Sequence, residues 1–117
     1  MPSKKIFKKG EVYWAGLETN RITKGGETQK NRPVVIISND KQNQFSTVVI
    51  VALLTTQVDK VYSFEVLVKM DSKRGKILTD QIYTVDKSRL GKKIGILTEP
   101  EIKSVEKGLH IVFDLKD

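Results

Sequence analysis

Two unbroken apolar runs, residues 33–38 (PVVIIS) and 47–55 (TVVIVALLT), constrain the fold of this chain more than any other feature. Both are rich in β-branched residues, too short for a buried helix and flanked by polar segments, so each reads as a fully buried strand. Pro33 suits the first position of its strand, where a missing N–H costs least. Residues 11–15 (EVYWA), 62–68, 76–79 and 81–85 supply further strands, the last two as one strand or two. Polar turns are expected at 39–46 and 71–75, and a helical turn at 86–90. Between the first two strands, residues 16–31 (GLETNRITKGGETQKN) show no period and read as a long loop, a kind that is often functional.

The C-terminal segment carries the clearest helix signal. Thr98 is an N-cap, Pro100 sits in the first turn, and Glu101 completes the spacing of a capping box. Ile102, Val105, Leu109, Val112 and Phe113 then share one helical face. Ile111 and Leu115 fall nearly opposite, either as surface residues or facing a second subunit. Many strands followed by one strong helix predict a small, strongly curved antiparallel sheet or barrel, closed by a C-terminal helix.

With 117 residues, positions 1–117 read as a single domain. Apolar residues at 38% and charged residues at 30% place the chain among folded, soluble proteins. No apolar run reaches the roughly 18 residues of a membrane span. The basic start MPSKKIFKK has no apolar segment behind it, so it is not a secretory signal. With no cysteine, disulfide and thiolate chemistry are closed off and a cytoplasmic location is the default. A formal charge of +7 attracts polyanions, nucleic acid first and an acidic protein second.

Several chemistries are closed by residue type. The single histidine, His110, sits on the flank of the helix face and reads as a structural residue. The acidic residues show no D-x-D or H-E-x-x-H spacing, so neither a metal nor another cofactor is expected. Gly25-Gly26 is no Walker loop and reads as a loop tip. Arginine, hydroxyls, amides and lysines remain, and they suit RNA cleavage by the substrate's own 2′-hydroxyl. The protein then has only to align that oxygen with the leaving 5′-oxygen and to stabilise the phosphorane. Arginine does the second task through a rigid fork of donors.

Residues 30–40 (KNRPVVIISND) resemble the R-P-V segment of the MazF/PemK/Kid toxins. Residues 9–15 (KGEVYWA), 45–57 (FSTVVIVALLTTQ), 62–66 (YSFEV) and 78–90 (LTDQIYTVDKSRL) are similar to four more blocks of that family in order. The resemblance covers almost the whole chain. It implies an SH3-like small antiparallel β-barrel closed by a C-terminal α-helix, and a homodimer that cleaves single-stranded RNA at short sequences without a metal. It further implies an acidic cognate antitoxin of the MazE type. The family's catalytic arginine and threonine map onto Arg32 and Thr55. The loop after the first strand is longer here, Gly16 replaces an acidic residue, and a proline common soon after is missing. Tyr83 stands where many relatives carry a basic residue, and its ring could stack on a base.

Each assignment has a plainer counterpart. Arg32 alone would read as a surface ion-pairing residue, and an arginine, with a pKa above about 12, is a poor general base. Phosphorane stabilisation is its expected role, with proton delivery to the leaving oxygen as a second. Thr56 equals Thr55 by chemistry, and only the family register favours Thr55. The amides of Gln57, Gln81 and Asn39 could read base edges, although Asn39 serves equally as a turn or cap residue. Lys24 and Lys30 suit phosphate contacts. Trp14 is assigned to core or dimer packing ahead of a platform for a base, and because neighbours in a strand face opposite ways, Tyr13 and Trp14 cannot both point inward. The alternative function is a non-catalytic RNA-binding module, or a gyrase-targeting toxin on the same fold.

Overall fold

The structure is a computed structural model that describes residues 5–18 and 29–116. Six antiparallel strands form one sheet: β1 (Glu11–Glu18), β2 (Gln29–Ile36), β3 (Val48–Thr55), β4 (Val66–Met70), β5 (Lys73–Asp86) and β6 (Leu90–Ile96). They lie in the order β4-β5-β3-β2-β1-β6. A short helix, α1 (Asp40–Phe45), precedes β3, a 3₁₀ turn at Lys87–Arg89 precedes β6, and α2 (Glu99–Phe113) ends the fold. The expected barrel is thus a curled half-barrel whose edges, β4 and β6, approach without pairing. A Cβ added to Gly95 of β6 would stand 2.8 Å from the Met70 sulfur of β4.

Both apolar runs form central strands, β2 and β3, buried for the reason their composition suggests. Alternation sends Val34, Ile36, Val49 and Val51 into one apolar cluster with Tyr13, Ala15 and Leu17. It sends Val35 and Ala52 into a second, with Val12, Val66, Val68, Ile77, Leu97 and Val105. Ile102 and Leu109 of α2 pack against this second cluster. The helix begins as its sequence dictates, with the reciprocal Thr98–Glu101 capping box and Pro100 in the first turn. Phe113, expected on the packed face, is instead 56% exposed.

Four elements differ from expectation. The connection 16–31 is shorter, since β1 and β2 pair out to Glu18 and Gln29. The segment 39–46 contains α1, not only a turn. Its N-cap is Asn39, and its one buried residue is the polar Asn43, whose amide donates to the Ser38 carbonyl at 2.9 Å. A helix anchored by polar pairing shows no apolar period. The strand expected from 62 starts at Val66, because Tyr62 and Glu65 close a turn through Glu65 N–H to Tyr62 carbonyl at 2.9 Å and Tyr62 N–H to Glu65 Oε1 at 2.9 Å. The strand β6 (LGKKIGI) was not anticipated at all, since an edge strand with two glycines and two lysines carries little pattern. The segments 76–79 and 81–85 are one strand. Its register against β3 jumps between Leu53↔Leu78 and Ala52↔Ile82, leaving 79–81 as a bulge.

The bulge also receives α2. Thr79 is fully buried, and its hydroxyl donates to the Phe64 carbonyl. Gly108 of α2 lies against both groups. A Cβ there would stand inside contact distance of the Phe64 carbonyl oxygen and 3.0 Å from Thr79 Cγ2. Alanine is the better helix former by about 1 kcal/mol, yet the obstacle is backbone and cannot swing aside. Gly108→Ala is therefore expected to destabilise the fold by about 1–3 kcal/mol, as overpacking does. Urea denaturation checks this, and an unchanged or higher midpoint would contradict the packing described.

Candidate active site

Arg32 lies near the start of β2, exposed, opposite Ala15 of β1. Thr55 is the last residue of β3, half-buried, opposite Lys76 of β5. The last regular β2–β3 pair at this end is Val34↔Leu53. Arg32 and Thr55 each lie two residues beyond it, so both share its face of the sheet and meet at the same strand end. Val34 belongs to the first apolar cluster, and Leu53 and Tyr83 pack on it, so the floor beneath the pair is apolar.

The Thr55 hydroxyl accepts the Gln57 backbone N–H at 3.2 Å. With one acceptor position used locally, the hydroxyl still has its own proton to donate. Lys76 does not offer its charge to the same space. Its Nζ contacts Glu65 Oε1 at 2.8 Å and the Lys60 carbonyl, and the two charged side chains are only 11% and 6% exposed. This pair ties the segment after Thr55 onto β5, and Tyr62 and Phe64 stack within it at 5.8 Å. Gln57 and Thr56 follow Thr55 directly and are exposed. Gln81 is exposed in the β5 bulge, and half-buried Tyr83 borders a small cleft with Gly16, Leu17 and Arg89.

Other expected residues are not brought together with this pair. Asn39 sits beyond the opposite end of β2 as the N-cap of α1, its side chain accepting the Gln42 N–H at 2.7 Å. Lys24 falls outside the described residues, as does the side chain of Lys30, whose backbone pairs with Leu17. Trp14 is not a core residue, which leaves dimer packing of the two roles expected for it. Tyr13 is the buried neighbour, at 2% exposure, while Trp14 is 44% exposed and faces a cavity on the other side of the sheet with Pro33, Leu54 and Thr56. Arg74, missed in the sequence, also borders that cavity, and only the β4–β5 hairpin brings it there.

Among the described residues, the perturbed titratable groups are Tyr13, Glu11 and Asp86, the last bordering the Tyr83 cleft. Burial pushes the Tyr13 hydroxyl up to about 12, helped by the charge of Glu11 and by donation to its carboxylate at 3.1 Å. Burial also pushes Glu11 upward, but Lys93 at 2.7 Å, the Lys8 N–H at 2.7 Å and Tyr13 outweigh it and hold that carboxyl below the usual range. The hydrogen bond from the Ser88 N–H holds Asp86 low, at the cap of the 3₁₀ turn. These groups stabilise the ends of strands.

Residues 8–113 match the model of a family described as the PemK-like, MazF-like toxin of type II toxin–antitoxin systems. The chain belongs to this family. Among PemK/MazF relatives, Endoribonuclease EndoA of Bacillus subtilis (strain 168) is 38% identical over 118 residues, spanning 96% of this chain and 98% of that protein. The fold matches that of a mycobacterial endoribonuclease solved with its cognate antitoxin, with a TM-score of 0.78 at 22% identity over 94% of this chain and 97% of that one. It also matches MazF in a MazE–MazF structure from Deinococcus radiodurans, with a TM-score of 0.74 at 19% identity over 97% of this chain and 100% of that one. Among the described residues, no helix of this PemK/MazF chain is long and apolar enough to cross a membrane.

Proposed function

We propose that this chain is a toxin endoribonuclease, an mRNA interferase that cuts single-stranded RNA at short specific sequences without a metal or other cofactor. The observation that carries the reading is the 38% identity, over nearly the full length, to a protein named as an endoribonuclease. The same-face arrangement of Arg32 and Thr55 supports the chemistry. The 2′-oxygen attacks phosphorus as its proton passes to solvent water, the P–O5′ bond breaks, and the leaving 5′-oxygen takes up a proton from water. The products are a 2′,3′-cyclic phosphate and a 5′-hydroxyl. Arg32 stabilises the phosphorane charge through its guanidinium, and Thr55 donates to a non-bridging oxygen.

In this reading the whole chain, 1–117, is one catalytic domain that acts in the cytoplasm as a homodimer. An acidic MazE-like antitoxin complements its +7 charge. Thr56, Gln57, Gln81 and Tyr83 are assigned to RNA contacts, Lys24 and Lys30 to phosphate contacts on the sequence alone, and Asn39 is left to its helix cap.

The test is incubation of the purified protein with a long transcript in EDTA, followed by end mapping. Cuts at one short sequence are expected, with cyclic-phosphate ends, and none where the nucleotide at the cut is 2′-deoxy. Intact RNA together with trapped gyrase–DNA complexes would replace this reading with a topoisomerase-directed one.

A further inference from the structure

The curled sheet keeps one mouth open at the end where β2 starts and β3 finishes. There, between the edges β4 and β6, lies a cavity of about 300 Å³ walled by Trp14, Pro33, Leu54, Met70 and Ile94. That volume is at the lower bound of ordinary small-molecule sites, which occur preferentially in places such as barrel mouths. Lys73 and Arg74, both exposed, border it, together with the carboxylate of Asp71.

Trp14 is the unusual wall. Its strand neighbours Tyr13 and Ala15 are 2% and 1% exposed, and Val12, on its own face, is fully buried, yet the indole is 44% exposed. Pro33 stands directly opposite it in the register. The proposed catalytic residues are sequence neighbours of this cavity, with Pro33 following Arg32 and Thr56 following Thr55. A chain that crosses the sheet end thus meets the guanidinium and the hydroxyl on one face and the indole on the other.

We propose that this mouth is a subsite for an unstacked nucleobase of the RNA, from a nucleotide flanking the cut, with its ring on Trp14 and the adjoining phosphate at Arg74 and Lys73. This rests on the ribonuclease reading above. The wall is apolar and aromatic and the rim is predominantly cationic, the combination that holds a base by stacking while its phosphate stays in water. Continuity with the Arg32–Thr55 face makes the occupant part of the same strand. An acidic peptide carrying an apolar side chain is the competing occupant.

Trp14 is the one tryptophan of the chain, so fluorescence excited selectively at the indole reports this site alone. The full chain is titrated with an RNA oligonucleotide that contains the mapped cut site and is made uncleavable by a single 2′-deoxy nucleotide. Fluorescence is expected to quench with the same Kd that anisotropy gives for binding. An abasic nucleotide at one flanking position should abolish the quench and weaken binding about tenfold, the scale of one lost base–aromatic stack. Trp14→Phe should stay within a few-fold of the parent. Trp14→Leu should weaken binding like the abasic oligonucleotide, and the two losses should not add.

Cleavage and binding without quenching, or indifference to an abasic nucleotide at every flanking position, would overturn the subsite and leave the ribonuclease reading intact. Quenching by an acidic peptide but not by RNA would overturn it in favour of that partner. Absence of both binding and cleavage would overturn the two readings together.

Discussion

Arg32→Ala is expected to slow RNA cleavage by about 10²–10³-fold, the loss that follows removal of one preorganised charge-stabilising donor. The side chain is exposed at the start of β2, so the fold should be spared, with stability within about 0.5 kcal/mol of the parent. Arg32→Lys should recover only part of the rate, since an ammonium supplies charge without the planar fork. Single-turnover cleavage of an oligonucleotide bearing the mapped site, read beside a thermal melt, checks both halves. A folded Arg32→Ala protein that cuts within a few-fold of the parent would remove the arginine from the chemistry.

Thr55→Val is expected to cost about 10²-fold in the same single-turnover rate, because it deletes one donor at nearly constant shape. Thr56→Val should leave that rate within a few-fold. The two threonines are equal in chemistry and adjacent in sequence; the family register favours Thr55, and in the structure strand alternation separates them. Thr55 shares the face of Leu53 and Val34, as Arg32 does, whereas Thr56 borders the cavity on the other face. The Gln57 N–H that loses its acceptor in Thr55→Val belongs to an exposed residue and can turn to water, so the effect should lie in catalysis and not in folding. The opposite ranking of the two variants would transfer the role to Thr56.

Features legible in the sequence were those with a local cause. The runs PVVIIS and TVVIVALLT became β2 and β3 because their composition suits only a doubly covered strand. The capping box at Thr98 started α2 because its hydrogen bonds join residues three apart. The family blocks carried Arg32 and Thr55 because their order along the chain is itself the signal. The helix α1 escaped because Ser38 and Asn43, not apolar spacing, hold it in place. The strand β6 escaped because its pairing partner, β1, lies about eighty residues earlier, and pairing across such a span leaves no periodic trace.

By itself, then, the sequence determined a strand-rich curved sheet, its C-terminal helix and the basic charge, while Arg32 and Thr55 came from its resemblance to the family. The first three depend on residue type and short-range spacing, which a linear chain carries in full. Only the tertiary structure decided which threonine shares a face with Arg32, that Asn39 caps a helix instead of joining the pair, and that Trp14 looks into an open cavity. Each of these depends on the register between strands and on how far the sheet curls before its edges meet. Both are set by packing among residues distant in sequence, as where Met70 closes against Gly95.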